Sequence, residues 1–406
     1  MSVTFEMKWM LVDMNSYFAS VEQHLRPELR GRAVGVIPVE SEGTCVIAAS
    51  YEAKKRGVKT GTRVGDARVM CPGIVLVKAR PEVYVRVHHE ILRSIDKCLP
   101  IFKVYSIDEW AIELWGEERR PERATALGRR IKAQLLEDFS PWLTCSIGIA
   151  PTRLLAKIAS DLQKPDGLTV LDPSELPGKL EHLVLRDLCG IGKGMAGRLM
   201  EHGIQSVADL WALDRRRAVQ VWGSCCGGSW WAGFHGIDEP EIATRRHSMC
   251  HANVLDPKYR NEPGAYGILL RLVCRLGARL RRDGYFAQGL RAHVKGIRGD
   301  WWCEEAALLC VQDTPTLLEE FEKLWERRKG RVDPPIKVGV DVTGLVAVGQ
   351  ATGVLFEEAE KPRRVSATMD DINQRWGGMA IYFGTMHGYR HRMEEKIAFG
   401  RIPPAV

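Results

Sequence analysis

Short apolar runs and helical periods alternate along the first 170 residues of the chain. Residues 7–14 predict a buried strand, followed at once by a helix over about 16–29. Apolar positions between 83 and 99 recur with a helical period. Further strands are predicted at 101–106, 110–114 and 143–149, and further helices at about 121–138 and 152–162. Strands that return between helices favour an α+β sheet covered by helices.

The second half of the chain changes character twice. Residues from about 172 to 236 predict a more helical segment, and the polar stretch 238–247 is typical of an interdomain linker. Helices at 263–282 and 314–329, with strands at 288–297 and 336–343, then predict a compact second domain. The highly charged stretch 357–366 is predicted to be loose and to lead into a tail.

Composition narrows the class of protein. At 406 residues the chain is expected to form two to four domains, and its 45% hydrophobic and 27% charged residues are typical of a globular protein. The sequence contains no apolar run near the ~20 residues that a membrane-spanning helix needs. The N-terminus has no secretory signal pattern, so we expect a cytoplasmic protein without a membrane partner.

The charged residues and cysteines refine this expectation. The net charge is +7, and residues 245–349 hold 18 Lys and Arg against 13 Asp and Glu, which fits a polyanionic partner. The eleven cysteines include no C-x-x-C pair, so the usual zinc spacing is excluded and reduced thiols are expected.

Three carboxylates close predicted buried strands. Asp13 ends one apolar run, and Asp108 and Glu109 end another. Burying an acid is costly unless its charge is compensated, and a pair of divalent ions would compensate it and support phosphoryl transfer. From these residues alone, a helix cap at Asp13 and an ordinary acidic hairpin turn at 108–109 remain open alternatives.

A third segment distinguishes these alternatives. Residues 13–22 (D-M-N-S-Y-F-A-S-V-E), 106–109 (S-I-D-E) and 145–167 (C-S-I-G-I-A-P-T-R-L-L-A-K-I-A-S-D-L-Q-K-P-D-G) together resemble the Y-family translesion DNA polymerases, of the UmuC/DinB-like kind. The resemblance is strong over 8–236 and looser over 240–350. It implies an α+β multidomain right-hand polymerase with the following parts: palm 1–18 and 83–170, fingers 19–82, helical thumb 171–236, linker 237–247, α/β little finger 248–350 and C-terminal tail 351–406.

The resemblance also assigns roles in a nucleotide site. It implies two Mg²⁺ ions, with Mn²⁺ as a substitute, held by Asp13, Asp108, Glu109 and the carbonyl of Met14. Phe18 matches the aromatic gate that excludes a 2′-hydroxyl, and Tyr17 is expected to pack against the base or sugar. The residues that match the family's triphosphate-binding positions are Tyr51, Lys54 and Lys164.

Two positions depart from the family pattern. Lys54 replaces an arginine. A lysine cannot form the bidentate hydrogen bonds of a guanidinium, so weaker binding of the triphosphate is expected. Trp110 follows Glu109 where the family has a small residue, and the indole could either crowd the primer end or repack.

Three further segments resemble DNA- or protein-binding parts of the family. Residues 188–194 (L-C-G-I-G-K-G) resemble a helix-hairpin-helix, with Gly190, Gly192 and Lys193 near a DNA phosphate. The predicted strand 288–297 turns Arg291, His293 and Lys295 outward, which suits duplex backbone binding. Residues 350–356 resemble a degenerate sliding-clamp peptide, with Gln350, Leu355 and Phe356 as its anchors, although an interior strand end would look similar.

Taken together, the resemblance implies a DNA-directed DNA polymerase for translesion synthesis in DNA repair. Such an enzyme would transfer deoxynucleotides from deoxynucleoside triphosphates to the primer 3′ end of primer-template DNA by two-metal nucleotidyl transfer. The sliding clamp and RecA or UmuD-like accessory proteins are the expected partners, in a mutagenic SOS response. The alternative is a catalytically weak or inactive homologue that acts as a repair adaptor.

Overall fold

The computed structural model describes residues 6–241, 245–328, 332–351, 357–377, 380–389 and 402. The chain divides into two compact units, one of residues 1–241 with 396–406 and one of residues 242–395. This division falls within 237–247, and the finer palm, fingers and thumb boundaries stay a prediction. Among the described residues, no helix combines the length and apolar character that crossing a bilayer requires.

The first unit begins with the strands and helices that carry the acidic motifs. Its elements up to residue 170 are β1 Trp9–Met14, α1 Tyr17–Leu25, β2 Val34–Ile37, β3 Ala48–Ala49, α2 Tyr51–Lys54, α3 Val64–Met70, β4 Val75–Lys78, α4 Pro81–Asp96, β5 Lys103–Val104, β6 Glu109–Glu113, α5 Pro121–Asp138, β7 Cys145–Ala150, α6 Arg153–Leu162 and β8 Leu168–Val170. The remaining helices of this unit are α7 Lys193–Glu201, α8 Val207–Trp211, α9 Arg215–Trp222 and α10 Cys226–Phe234.

The main sheet places β1 at its centre, in the order β5-β6-β1-β7-β8. One face of β1 contributes Met10 and Val12 to a core under α4 and α5. The other face contributes Trp9 and Leu11 to a core that includes α6 and helices α7–α10. Because both faces are buried, β1 reads as a continuous apolar run, which is why it was predictable. Asp13, near the end of β1, therefore lies at the edge of a region that is shielded from water on both faces of the sheet.

A smaller sheet forms between β1 and α4. Its order is β3-β2-β4, with β2 parallel to β4, and it has its own small core that includes Val46, Val58 and Val64. The sequence did not predict α3 or β4 as separate elements. Both are short, and their pattern carries little periodic signal.

Gly148 lets α6 pack directly on the sheet. A Cβ at this position of β7 would lie 2.0 Å from the carbonyl oxygen of Ala156 and 2.3 Å from the backbone nitrogen of Ser160. We therefore expect Gly148→Ala to lower the free energy of unfolding by about 3 kcal/mol, because two backbones must separate.

Urea unfolding followed by circular dichroism measures this change. Gly65→Ala is the matched control, since nothing lies within 4 Å of its added Cβ and alanine is the better helix former. Equal stability of Gly148→Ala and the wild type would show that the close approach is not required.

The second unit is a four-stranded antiparallel sheet with helices on one face. Its elements are β9 Ser248–Val254, α11 Glu262–Asp283, β10 Tyr285–Gly296, β11 Trp301–Val311, α12 Thr314–Glu326, β12 Pro335–Thr343, β13 Val346–Ala347 and α13 Glu357–Trp376. The sheet order is β11-β10-β12-β9, and β13 pairs with one end of β10. The sequence did not predict strands β9 and β11. In β11, identical residues follow each other (W-W, E-E, A-A and L-L), so apolar and polar positions do not alternate clearly.

The prediction of a loose segment at 357–366 is wrong, because α13 runs through it. Ser366 is buried, and its hydroxyl accepts a hydrogen bond from the backbone N–H of Thr314. Arg281 of α11 holds Asp370 of α13 through two hydrogen bonds of 2.6 and 2.8 Å. A charged helix can thus dock by pairing across one face while its other charges stay in solvent.

Candidate active site

The strand ladder brings two acids face to face. Asp13 of β1 lies directly opposite Glu109 of β6, and both point to the side of the sheet that packs on α6. Asp108 occupies the bend just before β6, and its carbonyl accepts a hydrogen bond of 2.9 Å from the backbone N–H of Met14. Since the bend frees Asp108 from strand alternation, the three carboxylates can serve one site.

Two lysines on one side of this site form ion pairs with Asp13, and one of them also pairs with Glu109. The ammonium of Lys157, on α6, contacts Asp13 and lies 2.6 Å from Glu109. Lys164 lies 2.8 Å from Asp13 and 2.8 Å from Asp161. The role of Lys157 was not predicted. The signal lay in the quoted segment A-K-I-A-S-D, where Lys157 and Asp161 are one helical turn apart and face the same way.

The acids differ in electrostatic environment. Burial alone would raise the pKa of Asp13, but Lys157 and Lys164 outweigh it and hold that pKa below its usual value. Burial raises the pKa of Asp108, and the charge of Asp13 adds to the effect. Burial likewise raises the pKa of Glu109 in spite of Lys157. The lysines therefore outweigh burial at Asp13, whereas burial dominates at Asp108 and Glu109.

The same balance acts on the bases. Burial alone would lower the pKa of Lys157, yet the carboxylates of Asp13, Asp161 and Glu109 raise it above its usual value. In the described part of the chain, no three His, Cys, Asp or Glu side chains converge as the ligands of one ion. Instead, the ammonium of Lys157 lies between Asp13 and Glu109. The assignment of metals to Asp13, Met14, Asp108 and Glu109 stays a prediction.

The predicted triphosphate residues adjoin this cluster. The ammonium of Lys54 lies 4.5 Å from the ring centroid of Tyr51, both on α2. Burial lowers the pKa of Lys54, the positive charge of Lys164 lowers it further, and Asp13 opposes them. Burial also raises the pKa of Tyr51, which lies close enough to Lys164 to be affected by it. The fold thus brings Tyr51, Lys54 and Lys164 together from positions far apart in sequence.

Asn15 fixes the loop that carries Lys164. The side-chain oxygen of Asn15 accepts a hydrogen bond of 2.8 Å from the backbone N–H of Asp166, and its amide donates to Ser146 at 3.0 Å. Asn15 is 1% exposed, so both bonds are shielded from water. The sequence placed Asn15 in the motif without assigning it a role, because its partners come from two other segments.

Tyr17 and Phe18 begin α1 and belong to the core beneath β1. Phe18 is 6% exposed and stacks on Tyr84 with centroids 4.4 Å apart and an interplanar angle of 15°. Tyr17 is 3% exposed, and its hydroxyl donates to the backbone carbonyl of Tyr84 at 2.7 Å. Both the ring and the hydroxyl of Tyr17 thus contact the core, and the expectation that this side chain packs against the base or sugar stays a prediction. The gate role of Phe18 stays a prediction.

Trp110 repacks instead of crowding the site. The indole is fully buried on the sheet face opposite Glu109, and its ring lies 5.5 Å from that of His88. His88 is also buried, and its Nδ1 hydrogen-bonds to the carbonyl oxygen of Ile107 at 2.7 Å. Burial lowers the pKa of His88 to about 4, so it is neutral near pH 7 and donates this bond. Trp110 and His88 thus support the backbone that carries Asp108.

The predicted helix-hairpin-helix has a short 3-10 turn where its first helix would be. A single 3-10 turn, Leu185–Asp187, stands in place of a first helix and is followed by the turn at Gly190 and by α7. Gly190 has a φ of +87°, and the adjacent carbonyl of Cys189 accepts a hydrogen bond from the indole of Trp230. Gly192 and Lys193 are exposed at the start of α7. Their contact with DNA stays a prediction.

The predicted basic strand face of the second unit is only partly basic. Leu290, Ala292 and Val294 are buried, as the alternation predicts, but Arg291 pairs with Glu305 at 2.9 Å. His293 is 9% exposed and lies 3.2 Å from Asp341. Lys295 is exposed. Two of the three predicted side chains therefore already have acidic neighbours.

The predicted clamp peptide is described only at its first residue. Gln350 is exposed and ends a short 3-10 helix, Val348–Gln350. Leu355 and Phe356 lie outside the described residues.

The sequence matches known families over most of its length. The model of the impB/mucB/samB family matches residues 12–161, and that of the same family's C-terminal domain matches residues 246–354. DNA polymerase IV of Moorella thermoacetica is 32% identical over 383 residues, which are 92% of this chain and 94% of that protein. DNA polymerase IV 1 of Bacillus subtilis is 28% identical over 384 residues, 92% and 91% of the two chains.

A solved structure has the same fold. A Y-family DNA polymerase chimera superimposes with a TM-score of 0.66 at 24% identity, over 84% of this chain and 100% of the chimera. The predicted α+β multidomain polymerase fold is confirmed. With the match to DNA polymerase IV over 92% of the chain and the acidic strand ends described above, the chain belongs to the Y-family of DNA-directed DNA polymerases, in its DinB/UmuC-like group.

Proposed function

We propose that this protein performs translesion synthesis by two-metal nucleotidyl transfer to a primer 3′ end, with primer-template DNA and deoxynucleoside triphosphates as substrates. One observation carries the proposal: three carboxylates at adjacent strand ends lie beside three cationic or hydroxyl side chains from two other segments. The first set consists of Asp13, Asp108 and Glu109, and the second of Tyr51, Lys54 and Lys164. An acidic pole next to a basic pole suits a metal-bound triphosphate.

The donor set fits a divalent cation. Carboxylate and carbonyl oxygens are the ligands that Mg²⁺ prefers. Burial raises the pKa values of Asp108 and Glu109, and the charge of Asp13 adds to the effect, so a cation bound beside them would be favourable. Asp13, Asp108, Glu109 and the Met14 carbonyl would hold the ions, Mg²⁺ or Mn²⁺. Bound there, two ions would lower the pKa of the primer 3′-hydroxyl and neutralise the departing pyrophosphate.

The protein's own residues bind and orient the substrate. Lys54 and Lys164 would attract the triphosphate, and Tyr51 would donate its hydroxyl to a phosphate oxygen. Lys157 would exchange its contact with Asp13 and Glu109 for the new charges around it, which its four-carbon stem permits. Asn15 keeps Lys164 in reach by anchoring the 166 backbone. Catalysis then rests on positioning and on charge stabilisation.

The remaining assignments extend this function. The thumb turn at Gly190, Gly192 and Lys193 and the outward face of β10 would bind the duplex backbone without reading its sequence. The sliding clamp, RecA or UmuD-like proteins, an SOS-linked role and a cytoplasmic location remain predictions of the sequence.

Primer extension tests the proposed function. With Mg²⁺, the purified protein is expected to extend a primer across an undamaged template and an abasic site. Asp108→Ala combined with Glu109→Ala is expected to abolish both reactions, because the metal ligands are removed.

The matched control is Glu113→Ala, which removes a carboxylate at the far end of the same strand, β6. If the wild type extends no primer, or the double variant extends as well as the wild type, the proposal fails and the adaptor alternative takes its place.

A further inference from the structure

An exposed tryptophan lies on the outer face of the second unit's sheet. Trp301 begins the edge strand β11 and is 54% exposed. Its ring stacks on that of His293, on the neighbouring strand β10, with centroids 4.9 Å apart and an interplanar angle of 18°. The face of the indole is therefore set parallel to a second ring.

The sheet holds His293 in a flat orientation beneath this indole. A Cβ at Gly339, the direct neighbour of His293 on β12, would lie 2.4 Å from the imidazole, so only glycine leaves room for the ring. Asp341 fixes the ring from the same strand, with His293 Nδ1 3.2 Å from its carboxylate. Burial lowers the pKa of His293 although Asp341 opposes the effect, which keeps the ring neutral near pH 7.

The stacking also limits the motion of the indole. His293 cannot easily move away beneath it, because Gly339 and Asp341 border the imidazole. Stacking therefore restricts the rotamers of Trp301 in spite of its exposure, so a partner would lose little side-chain entropy on binding.

The charge beside Trp301 is positive. The register places Lys295 directly opposite Trp301, and Lys337 directly opposite Lys295. Both lysines are exposed, and within the described residues neither forms an ion pair with a carboxylate. Two rows further along the face, Arg291 lies between Glu305, with which it is paired, and Asp341. The positive charge of this face that has no acidic partner among the described residues therefore lies at the end that carries the stacked rings.

We propose that the Trp301–His293 pair is a stacking site for an unpaired base of single-stranded DNA, with Lys295 and Lys337 holding the flanking phosphates. A fixed aromatic face beside exposed lysines is the arrangement that single-stranded nucleic acid uses, and the bases of an intact duplex offer no free face to it. An apolar protein partner would not require the lysines. The proposal rests on the proposed DNA substrate but not on the metal chemistry.

Fluorescence polarisation with the full-length protein tests this site. The probe is a labelled short oligothymidylate in EDTA, and a labelled blunt duplex of the same length is measured in parallel. Trp301→Ala is expected to weaken oligothymidylate binding about tenfold, because the base loses its stacking partner, and to leave duplex binding unchanged. Trp301→Phe is expected to recover most of the affinity.

Trp376→Ala is the matched control, because Trp376 is an 80% exposed tryptophan of the same unit that lies on α13. Oligothymidylate binding by Trp301→Ala at wild-type affinity would overturn the proposal, and so would an equal loss on the duplex. Asp108→Ala with Glu109→Ala should bind oligothymidylate normally, so a failure of the metal site is told apart from a failure of this one.

Discussion

Asp13→Asn is expected to destabilise the protein in metal-free buffer, whereas Asp108→Asn is expected to stabilise it. Asp13 is 4% exposed and is the shared partner of Lys157 and Lys164. Its removal leaves the half-buried ammonium of Lys157 and the more exposed ammonium of Lys164 undercompensated, which should lower the free energy of unfolding by about 2 kcal/mol. Burial and the charge of Asp13 both disfavour the ionised form of Asp108. Replacing it with neutral asparagine should therefore raise the free energy of unfolding by about 1 kcal/mol.

The pH dependence follows from the same two pKa shifts. The pKa of Asp13 is lowered from 3.8, so its stabilising contribution is present above that value and is lost as the pH falls through its folded-state pKa. The pKa of Asp108 is raised from 3.8, so its destabilising charge is present at neutral pH and disappears as the pH falls through its folded-state pKa. The difference in stability between the two variants should therefore shrink in acid.

Urea unfolding at neutral pH in EDTA measures the two variants. Asp161→Asn is the matched control, because Asp161 contacts the same lysines but is exposed, and a change within about 0.5 kcal/mol is expected. Added Mg²⁺ should stabilise the wild type and have less effect on Asp108→Asn, since a ligand stabilises only the state that binds it. Two variants that shift in the same direction would contradict this charge balance.

Phe18→Leu is expected to raise ribonucleotide incorporation relative to deoxynucleotide incorporation by about tenfold or more. The ring of Phe18 has little freedom to move aside, because it stacks on Tyr84. The hydroxyl of Tyr84 in turn donates a hydrogen bond of 2.8 Å to the buried carboxylate of Glu22. Arg80 donates two further hydrogen bonds to the same carboxylate. A rigid ring can exclude one hydroxyl group, whereas a smaller and more mobile leucine cannot.

Single-nucleotide primer extension with matched ribo- and deoxynucleoside triphosphates gives this ratio. Leucine is the informative substitution, because Phe18→Ala would also cost about 3 kcal/mol of stability by opening a cavity. Phe139→Leu serves as the control, since Phe139 packs against the same core but contacts His24. An unchanged ratio in a Phe18→Leu protein that still incorporates deoxynucleotides would remove the gate role.

Local patterns predicted much of the first unit. The helix predicted at 121–138 matches α5, and the strand predicted at 7–14 matches β1 within two residues. The sequence did not predict elements whose periodic signal is short or irregular, such as β4 and β11. The prediction of a loose segment at 357–366 failed for a different reason, because α13 is stabilised by packing on α11 and α12 through Asp370 and Ser366. Such tertiary stabilisation leaves no mark in a hydrophobic pattern.

The sequence by itself determined the acids, the order of the motifs and the family, because these depend on residue types at short fixed spacings. Only the tertiary structure decided what surrounds them. It placed Lys157 between Asp13 and Glu109, turned Tyr17 into the core, and put Trp110 on the opposite face of the sheet. The physical reason is that a contact between distant segments depends on strand register and helix packing, which many weak interactions set together. The three carboxylates are thus a property of the chain, and their compensation is a property of the fold.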